Sequence, residues 1–470
     1  MKKKILSLLL AFALLLSPTV FAARDESAEV TYFDLVKDFV EKNYKFGVTD
    51  TEIYENALKE ILRQHPDLLD MALTGMAKSM DEHTRYLMPA DFKSWMESIQ
   101  GTFVGIGVTI EERNGYITVV NPVEGSPAEE AGLMAGDRFY SVDDVEVVNQ
   151  SLEYVRSLVV GEQGTTVKIG VLREGEEEPL YFEITRAPVE QRTVNGYVEG
   201  DVGYIYMSSF ALNTYEEMKQ LLADFDAQGI KKLILDLRNN PGGEKTALVD
   251  TVSLFAPKGP VLNIEYADSA KNEVYRSNNP SPGKYKIVAL VNGNSASAAE
   301  AFTGTLKDTK AATIVGEVTY GKGTVQTLQP LATGGAMKLT IATYTTANGT
   351  EINGVGVTPD YIVRNERVAY EDNPDAYPFE FAAEINENSS EEAIKAIGQR
   401  FALLSIYAGD TISGVFDDRT VEAIKVFQKT YGMEVTGVMD IMTQVEMNNL
   451  TREIKTVIDH QLNKAFELLK

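Results

Sequence analysis

The chain of 470 residues contains no cysteine, only three histidines (His65, His83 and His460) and a single tryptophan. The lack of cysteine removes any disulfide framework, any thiol nucleophile and any Cys-based metal site. The scattered histidines and the missing His-Glu-x-x-His pattern argue against a metal-dependent hydrolase, and no metal or cofactor is expected. Positive charge is also short: 44 Lys and Arg face 69 Asp and Glu, for a net charge of −25. A surface this acidic argues against nucleic acid or anionic lipid as a main partner. Any chemistry must come from Ser, Lys, Asp, Glu, Gln or the backbone.

Long apolar runs are missing too, except at the start. MKKKILSLLLAFALLLSPTVFAARDE has three lysines, an apolar stretch from Ile5 to Leu16, and small residues at Ala22 and Ala23. This is the layout of a secretory signal over 1–22, with Val20 and Ala22 suited to the cut. The stretch is short against the ~20 residues a spanning helix needs. An exported, extracytoplasmic protein is expected, held to the membrane only if the signal stays on. Its loss would make the remainder more acidic still. A hydrophobic content of 44% with 24% charged residues is that of an ordinary globular protein, and the length suggests several domains.

Hydrophobic spacing divides the chain. Residues 23–100 have apolar side chains three and four apart, as in YFDLVKDFVEKNY and TEIYENALKEILRQ, and read as a helical region. Residues 101–188 change to short β-rich runs with glycine turns. There, SPAEEAGL opens a helix with Ser126 as N-cap and Pro127 behind it, and SLEYVRSLVV forms a second helix. Residues 189–370 alternate buried strands (VGYIYM, KKLILDL, YKIVALV, ATIVGE) with helices, the pattern of an α/β core with parallel pairings and sites at the strands' carboxyl ends. A polar linker over 371–395 leads to a small helical domain at 396–450 and a C-terminal helix within 451–470.

The chemistry centres on VNGNSASAAEAFTG, where two serines follow an apolar strand and precede a helix. No histidine is near, so a lysine must be considered as base. A neutral amine can take a serine proton if its surroundings lower its pKa from the ordinary ~10.4. Lys322 in EVTYGKGTVQT lies between two glycines that allow close backbone approach. Gln326, four residues on, could orient the amine without the opposing effect of a carboxylate. NNPGGEKT offers a glycine turn whose N–H groups could receive an oxyanion.

These motifs together resemble the C-terminal processing peptidases, tail-specific serine proteases with an embedded PDZ domain. SMDEHTRYLMP, GIGVTI, LDLRNNPGG, NGNSASAAEAF, GEVTYGKGTVQT and NGVGVTPD carry the resemblance over roughly residues 30–365. It implies a crotonase-like α/β core with an inserted β-rich PDZ domain, and a Ser-Lys-Gln endopeptidase acting through an acyl-enzyme. The family's spacing of 25 between nucleophile and lysine selects Ser297 over Ser295 as partner of Lys322, with Gln326 completing the set. The resemblance further implies an oxyanion hole from the N–H of Ala298 and one from the glycine turn, Gly242 being favoured. Gly105, Ile106, Gly107 and Val108 match the PDZ carboxylate loop, which would grip free C-termini of protein or peptide substrates. RTVEAIKVFQKTYGMEVTG is similar to small peptidoglycan-binding domains, which makes peptidoglycan a second expected partner. Two departures stand out: Val160 where many relatives have arginine, and Ala347 where proline is frequent. Apolar stripes on the terminal helices, including Arg452 to Leu469, with no obvious core to cover them, lead to the expectation of a homodimer.

Two other readings compete. A penicillin-binding-type enzyme needs Ser-x-x-Lys opening a helix, and the one such spacing, Ser281 to Lys284, lies in a Pro/Gly loop. A catalytically silent scaffold of PDZ and wall-binding modules would not need Ser297, Lys322 and Gln326 together.

Overall fold

The computed structural model describes residues 26–470 except 46, 114, 174, 177, 281, 405 and 407–413; the expected signal over 1–22 lies outside the described residues. Two compact units divide the chain, one up to Tyr86 and one from Leu87 onward. The first holds helices α1 (Glu26–Asn43), α2 (Asp50–Gln64) and α3 (Leu69–Lys78). Thr49 and Glu52 close α2 with a reciprocal capping box. Yet α2 buries no residue, and Phe33, Leu35 and Phe39 on α1 and Tyr54, Leu58 and Ile61 on α2 are exposed. Within their own unit these helices have apolar side chains left over.

The second unit opens with α4 (Pro89–Gln100) and then a β-rich region. It comprises β1 (Thr102–Gly105), β2 (Val108–Arg113), β3 (Tyr116–Pro122), α5 (Pro127–Ala131), β4 (Arg138–Val142), β5 (Val145–Glu146), α6 (Leu152–Val159), β6 (Thr166–Leu172), β7 (Leu180–Thr185) and β8 (Ala187–Glu190). The sheet order is β2-β3-β4-β6-β7, with β5 on β4, while β1 pairs with β8 apart from it. Ile117, Val119, Phe139, Val155 and Ile169 fill its core. Ser126 caps α5 through its hydroxyl as read from the sequence, and Ser151 caps α6 in the same way.

The α/β core follows: β9 (Val194–Glu199), β10 (Val202–Met207), α7 (Thr214–Ala227), β11 (Lys232–Asp236), α8 (Lys245–Val252), β12 (Gly259–Tyr266), β13 (Glu273–Ser277), β14 (Lys286–Val291), α9 (Ala298–Asp308), β15 (Thr313–Gly316), β16 (Thr324–Pro330), β17 (Ala336–Thr345) and β18 (Tyr361–Ile362). One sheet runs β9-β10-β11-β14-β15-β18. It is parallel from β10 onward and antiparallel between β9 and β10. Ile205, Leu235, Ala289 and Ile314 align across four strands as one fully buried row. Met218, Phe225, Leu248 and Phe302 of α7, α8 and α9 pack in the same core. Burial on both faces explains why these strands read as continuous apolar runs rather than alternating ones. A second, antiparallel sheet joins β16, β17, β12 and β13.

Beyond the core come β19 (Glu366–Ala369), β20 (Glu384–Ile385), α10 (Glu391–Leu403), α11 (Asp418–Thr430), β21 (Met439–Asp440), α12 (Ile441–Thr451), β22 (Lys455–Ile458) and α13 (His460–Leu469). Ile397, Phe401, Ile424, Phe427 and Met447 make a separate small core. Helix α10 begins inside the span read as linker, because Ile394, Ile397 and Phe401 bury on α11 and α12. The C-terminal segment corrects the sequence reading. Instead of one helix left without a core, it is strand β22, paired antiparallel with β19, and then the shorter α13. Ala465 and Leu469 of α13 bury against Ile234, Val288, Leu290 and Val315 of the parallel sheet. The stripe that suggested a subunit interface is covered within its own chain.

Candidate active site

Between β14 and α9 the chain makes a turn of six residues, Asn292–Ser297. Ser295 is fully buried there, and its hydroxyl donates to the Leu237 carbonyl at 2.8 Å and accepts the Asn292 N–H at 3.0 Å. That hydroxyl is committed to the turn. Ser297 is half-buried and has φ 55° and ψ −116°, a left-handed backbone that costs a side-chain-bearing residue roughly 1–3 kcal/mol. It stands immediately before α9, where the helix dipole favours developing negative charge.

The surroundings hold Ser297 there. Glu300, on the first turn of α9, is completely buried. Its Oε2 accepts the N–H groups of Ser297 and Lys322, both at 2.8 Å. Its Oε1 accepts the Gly321 N–H and the Thr319 hydroxyl, both at 2.6 Å. All four partners are donors, which suits a carboxylate, and a buried carboxyl group is tolerated only when so satisfied. On the carbonyl side, the Tyr344 hydroxyl lies 2.8 Å from the Ser297 carbonyl oxygen and 2.6 Å from that of Lys322. Burial, and then the Glu300 charge, push the Tyr344 phenol well above its ordinary pKa. It stays a donor.

Lys322 is therefore brought to Ser297 by its backbone. The loop between β15 and β16 is further fastened by Tyr320 N–H to the Ser295 carbonyl at 3.0 Å and by Gly354 N–H to the Gly321 carbonyl at 2.8 Å. Gly323 has no room for a side chain, since a Cβ would fall 2.3 Å from the Asn353 nitrogen. Gln326 sits on β16 at a register shift against β17, and its amide NH2 donates to Thr324 at 2.8 Å and Thr340 at 3.4 Å.

The turn after β11 faces the same place. A Cβ on Gly242, where φ is 98°, would lie 2.8 Å from the Ala298 nitrogen and from the Ser297 Cβ. Glycine thus keeps open the space in front of the Ala298 N–H, which makes no hydrogen bond among the described residues. One expectation changes here. The Gly242 N–H donates to Asn240 Oδ1 at 2.9 Å, so in this structure it is engaged within its own turn and does not face an acyl oxygen as a free donor. The neighbouring Gly243 N–H has no such partner among the described residues. Asn239 joins this turn to the serine turn: its N–H donates to Asn292 Oδ1, and its Oδ1 accepts from the amides of Asn292 and Asn294.

Asp236 and Arg238 are a structural pair, bridged at 2.6 Å. Burial opposes the guanidinium charge, but hydrogen bonds and attraction from Asp236, then Asp459, outweigh it and raise the Arg238 pKa.

In the β-rich region, the carbonyls of Ile106 and Gly107 accept from Ala128 N–H, Val123 N–H and the Ser126 hydroxyl. Their own N–H groups make no hydrogen bond among the described residues. Gly107 has φ 77°, and a Cβ there would overlap Ser126. The Ile106 side chain belongs to the core, whereas Val108 and Leu158 are partly open. At the end of α6, Val160 is exposed, and Arg186 holds the helix end by donating to the Val159 carbonyl at 2.7 Å and the Leu158 carbonyl at 3.3 Å.

Residues 201–363 match peptidase family S41, residues 104–184 a PDZ domain, and residues 390–447 a putative peptidoglycan binding domain. The protein is a serine-type peptidase with a PDZ domain. Similar relatives include the carboxy-terminal processing protease CtpA of Bacillus subtilis, 31% identical over 89% of each chain. A probable CtpA-like serine protease of Staphylococcus epidermidis is 31% identical over 89% of this chain and 84% of its own. The carboxy-terminal-processing protease of Bartonella bacilliformis is 34% identical over 63% of this chain and 69% of its own. The chain belongs to the carboxy-terminal processing proteases of family S41.

Sequence reasoning missed Glu300 and Tyr344. Glu300 could have been found, since Ser297-Ala-Ala-Glu300 is a capping-box pattern before an apolar helix. No local signal marks Tyr344, which arrives from a different sheet.

Proposed function

We propose that the protein cleaves substrates bearing free C-terminal tails, with Ser297 as nucleophile, Lys322 as general base and Gln326 as its orienting partner. The observation that carries this reading is the strained backbone at Ser297, tied through one buried carboxylate to Lys322. Ser297 Oγ attacks the scissile carbonyl carbon and its proton passes to the neutral Lys322 amine. The resulting oxyanion rests on the Ala298 N–H and on a donor from the Gly242–Gly243 turn. Lys322 then returns the proton to the departing amine, leaving an acyl-enzyme that water, activated by the same lysine, hydrolyses. With its amide nitrogen held by Thr324 and Thr340, Gln326 has its carbonyl oxygen left to accept from Lys322.

The N–H groups of Gly105, Ile106, Gly107 and Val108 would receive the tail's carboxylate, the tail lying along β2 beside α6. We place the enzyme outside the cytoplasm, with the domain over 390–447 binding peptidoglycan and the core crotonase-like. The exposed apolar faces of α1 and α2 fit a homodimer; a monomer by solution scattering at micromolar concentration would exclude it. In the test of the chemistry, Ser297→Ala and Lys322→Ala each abolish cleavage of an apolar-tailed peptide with the fold retained, and Gln326→Ala loses part of it. Wild-type turnover by either of the first two overturns the assignment, whereas a wild-type protein that cleaves no tailed peptide favours a silent scaffold.

A further inference from the structure

Arg238 opens the segment that leads through Asn239, Asn240 and Pro241 into the Gly242–Gly243 turn. Its guanidinium is divided between two carboxylates. Nε and Nη2 face Asp236 at 3.0 and 2.6 Å, while Nη1 reaches both oxygens of Asp459, 221 positions along the chain, at 2.8 and 2.7 Å. Gln461 adds a contact at 3.3 Å. Asp459 is also the N-cap of α13, accepting the Leu462 N–H at 3.0 Å. The bridge is partly shielded, with side-chain exposures of 15% and 32%, and lies on the wall of a polar cleft of about 480 Å³ shared with Tyr204 and Arg364. It is thus more than a solvated surface pair, whose contribution would be small.

Holding Arg238 has a reach beyond stability. The next residue, Asn239, takes a left-handed backbone of φ 62° and makes the three hydrogen bonds to the serine turn described above. Asn240 accepts the Ala296 N–H at 2.9 Å on its carbonyl and receives the Gly242 N–H on its side chain. A shift at Arg238 therefore passes to both walls of the space beside Ala298. Asp236 is fixed at the end of β11 in the parallel sheet and accepts the Tyr204 hydroxyl at 2.5 Å, so it holds one edge of the guanidinium against the sheet and leaves Nη1 to a partner from outside it. The external anchor is Asp459.

We propose that Asp459 is a positioning residue of this peptidase: acting through Arg238, it sets the glycine turn against Ser297, so that the C-terminal segment completes the active site. The proposal rests on the Ser297 assignment. Asp459→Asn keeps a competent N-cap for α13 and removes the charge. Arg238→Lys keeps a cation beside Asp236 but cannot fork between two carboxylates. Each variant should lower kcat at least tenfold on a tailed peptide and leave KM within twofold, and the double variant should lose no more than the worse single one. Lys464→Ala, on the same helix but away from Arg238, should keep wild-type kcat. Full kcat in Asp459→Asn, additive losses in the double variant, or an equal loss in Lys464→Ala overturns the proposal. If Asp459→Asn does not fold, Arg238→Lys with unchanged kcat overturns it alone. Ser297→Ala run in parallel separates the two claims, since activity there defeats the catalytic assignment itself.

Discussion

The Glu300 carboxylate reaches from the first turn of α9 to the backbone N–H of Lys322, 2.8 Å away and 22 residues further on. The helix that follows Ser297 thereby carries the position of Lys322. Replacing this oxygen by an amide NH2 in Glu300→Gln would set donors against donors at one end, at a cost of about 1–3 kcal/mol for each buried group left unpaired. The expected outcome is a fall in kcat of about 100-fold with binding of the tail unchanged, read from steady-state kinetics beside PDZ binding by fluorescence anisotropy. Unaltered kcat would show that Ser297 and Lys322 find their places without the clamp.

Gly242→Ala should fill the space in front of the Ala298 N–H. A loss of about 100-fold in kcat is expected, the scale of removing one oxyanion donor. The added strain of a side chain at φ 98° should lower stability by about 1–2 kcal/mol. Denaturant unfolding together with turnover checks both, and normal turnover would move the oxyanion site elsewhere.

Tyr344 gives a pH signature. Its folded-state pKa is raised, so its stabilising contribution is complete below the unfolded tyrosine value near 10 and is lost as pH rises towards the folded value. Above about pH 10 the unfolded chain sheds this proton and the folded one does not, a slope of about 1.4 kcal/mol per pH unit. Tyr344→Phe should be less stable than wild type at pH 8 and should lose stability less steeply between pH 10 and 11. Parallel alkaline slopes for the two proteins would contradict the buried, protonated phenol.

Recognition of the tail is open to a direct check. If the loop at Gly105 to Val108 binds a terminal carboxylate, amidating a substrate's C-terminus should slow its cleavage at least tenfold at low concentration, mainly through KM. Equal rates for acid and amide forms would point to recognition of internal sequence.

The parallel strands and the helices between them were legible because each leaves a local mark: an apolar run, a cap, a glycine turn; the choice of Ser297 as partner of Lys322 rested on the spacing of the family it resembles. What stayed hidden depends on contacts between distant segments. The Gly242 N–H looked available because nothing in NNPGG reveals that Asn240 turns back to take it. The stripe on α13 looked uncovered because the sheet face that covers it comes from residues some 150 to 270 positions earlier, and a periodicity reports that a face is apolar but not what lies on it. Tyr344 carries no pattern, since an aromatic on a strand is ordinary core until its hydroxyl meets two carbonyls.

Strands β19 and β22 are antiparallel neighbours, joined from Glu366–Ile458 to Ala369–Lys455. Everything from 370 to 454 thus leaves and returns through two points about 5 Å apart, the spacing of paired strands. In topological terms the whole helical module is the loop of a hairpin. A loop of this kind can be exchanged, lengthened or cut back to a tight turn while both strands, and the helix that follows them, keep their seats. The same doorway that admits a module matching a putative peptidoglycan binding domain would admit a different one, so what the chain carries there can change independently of the peptidase core.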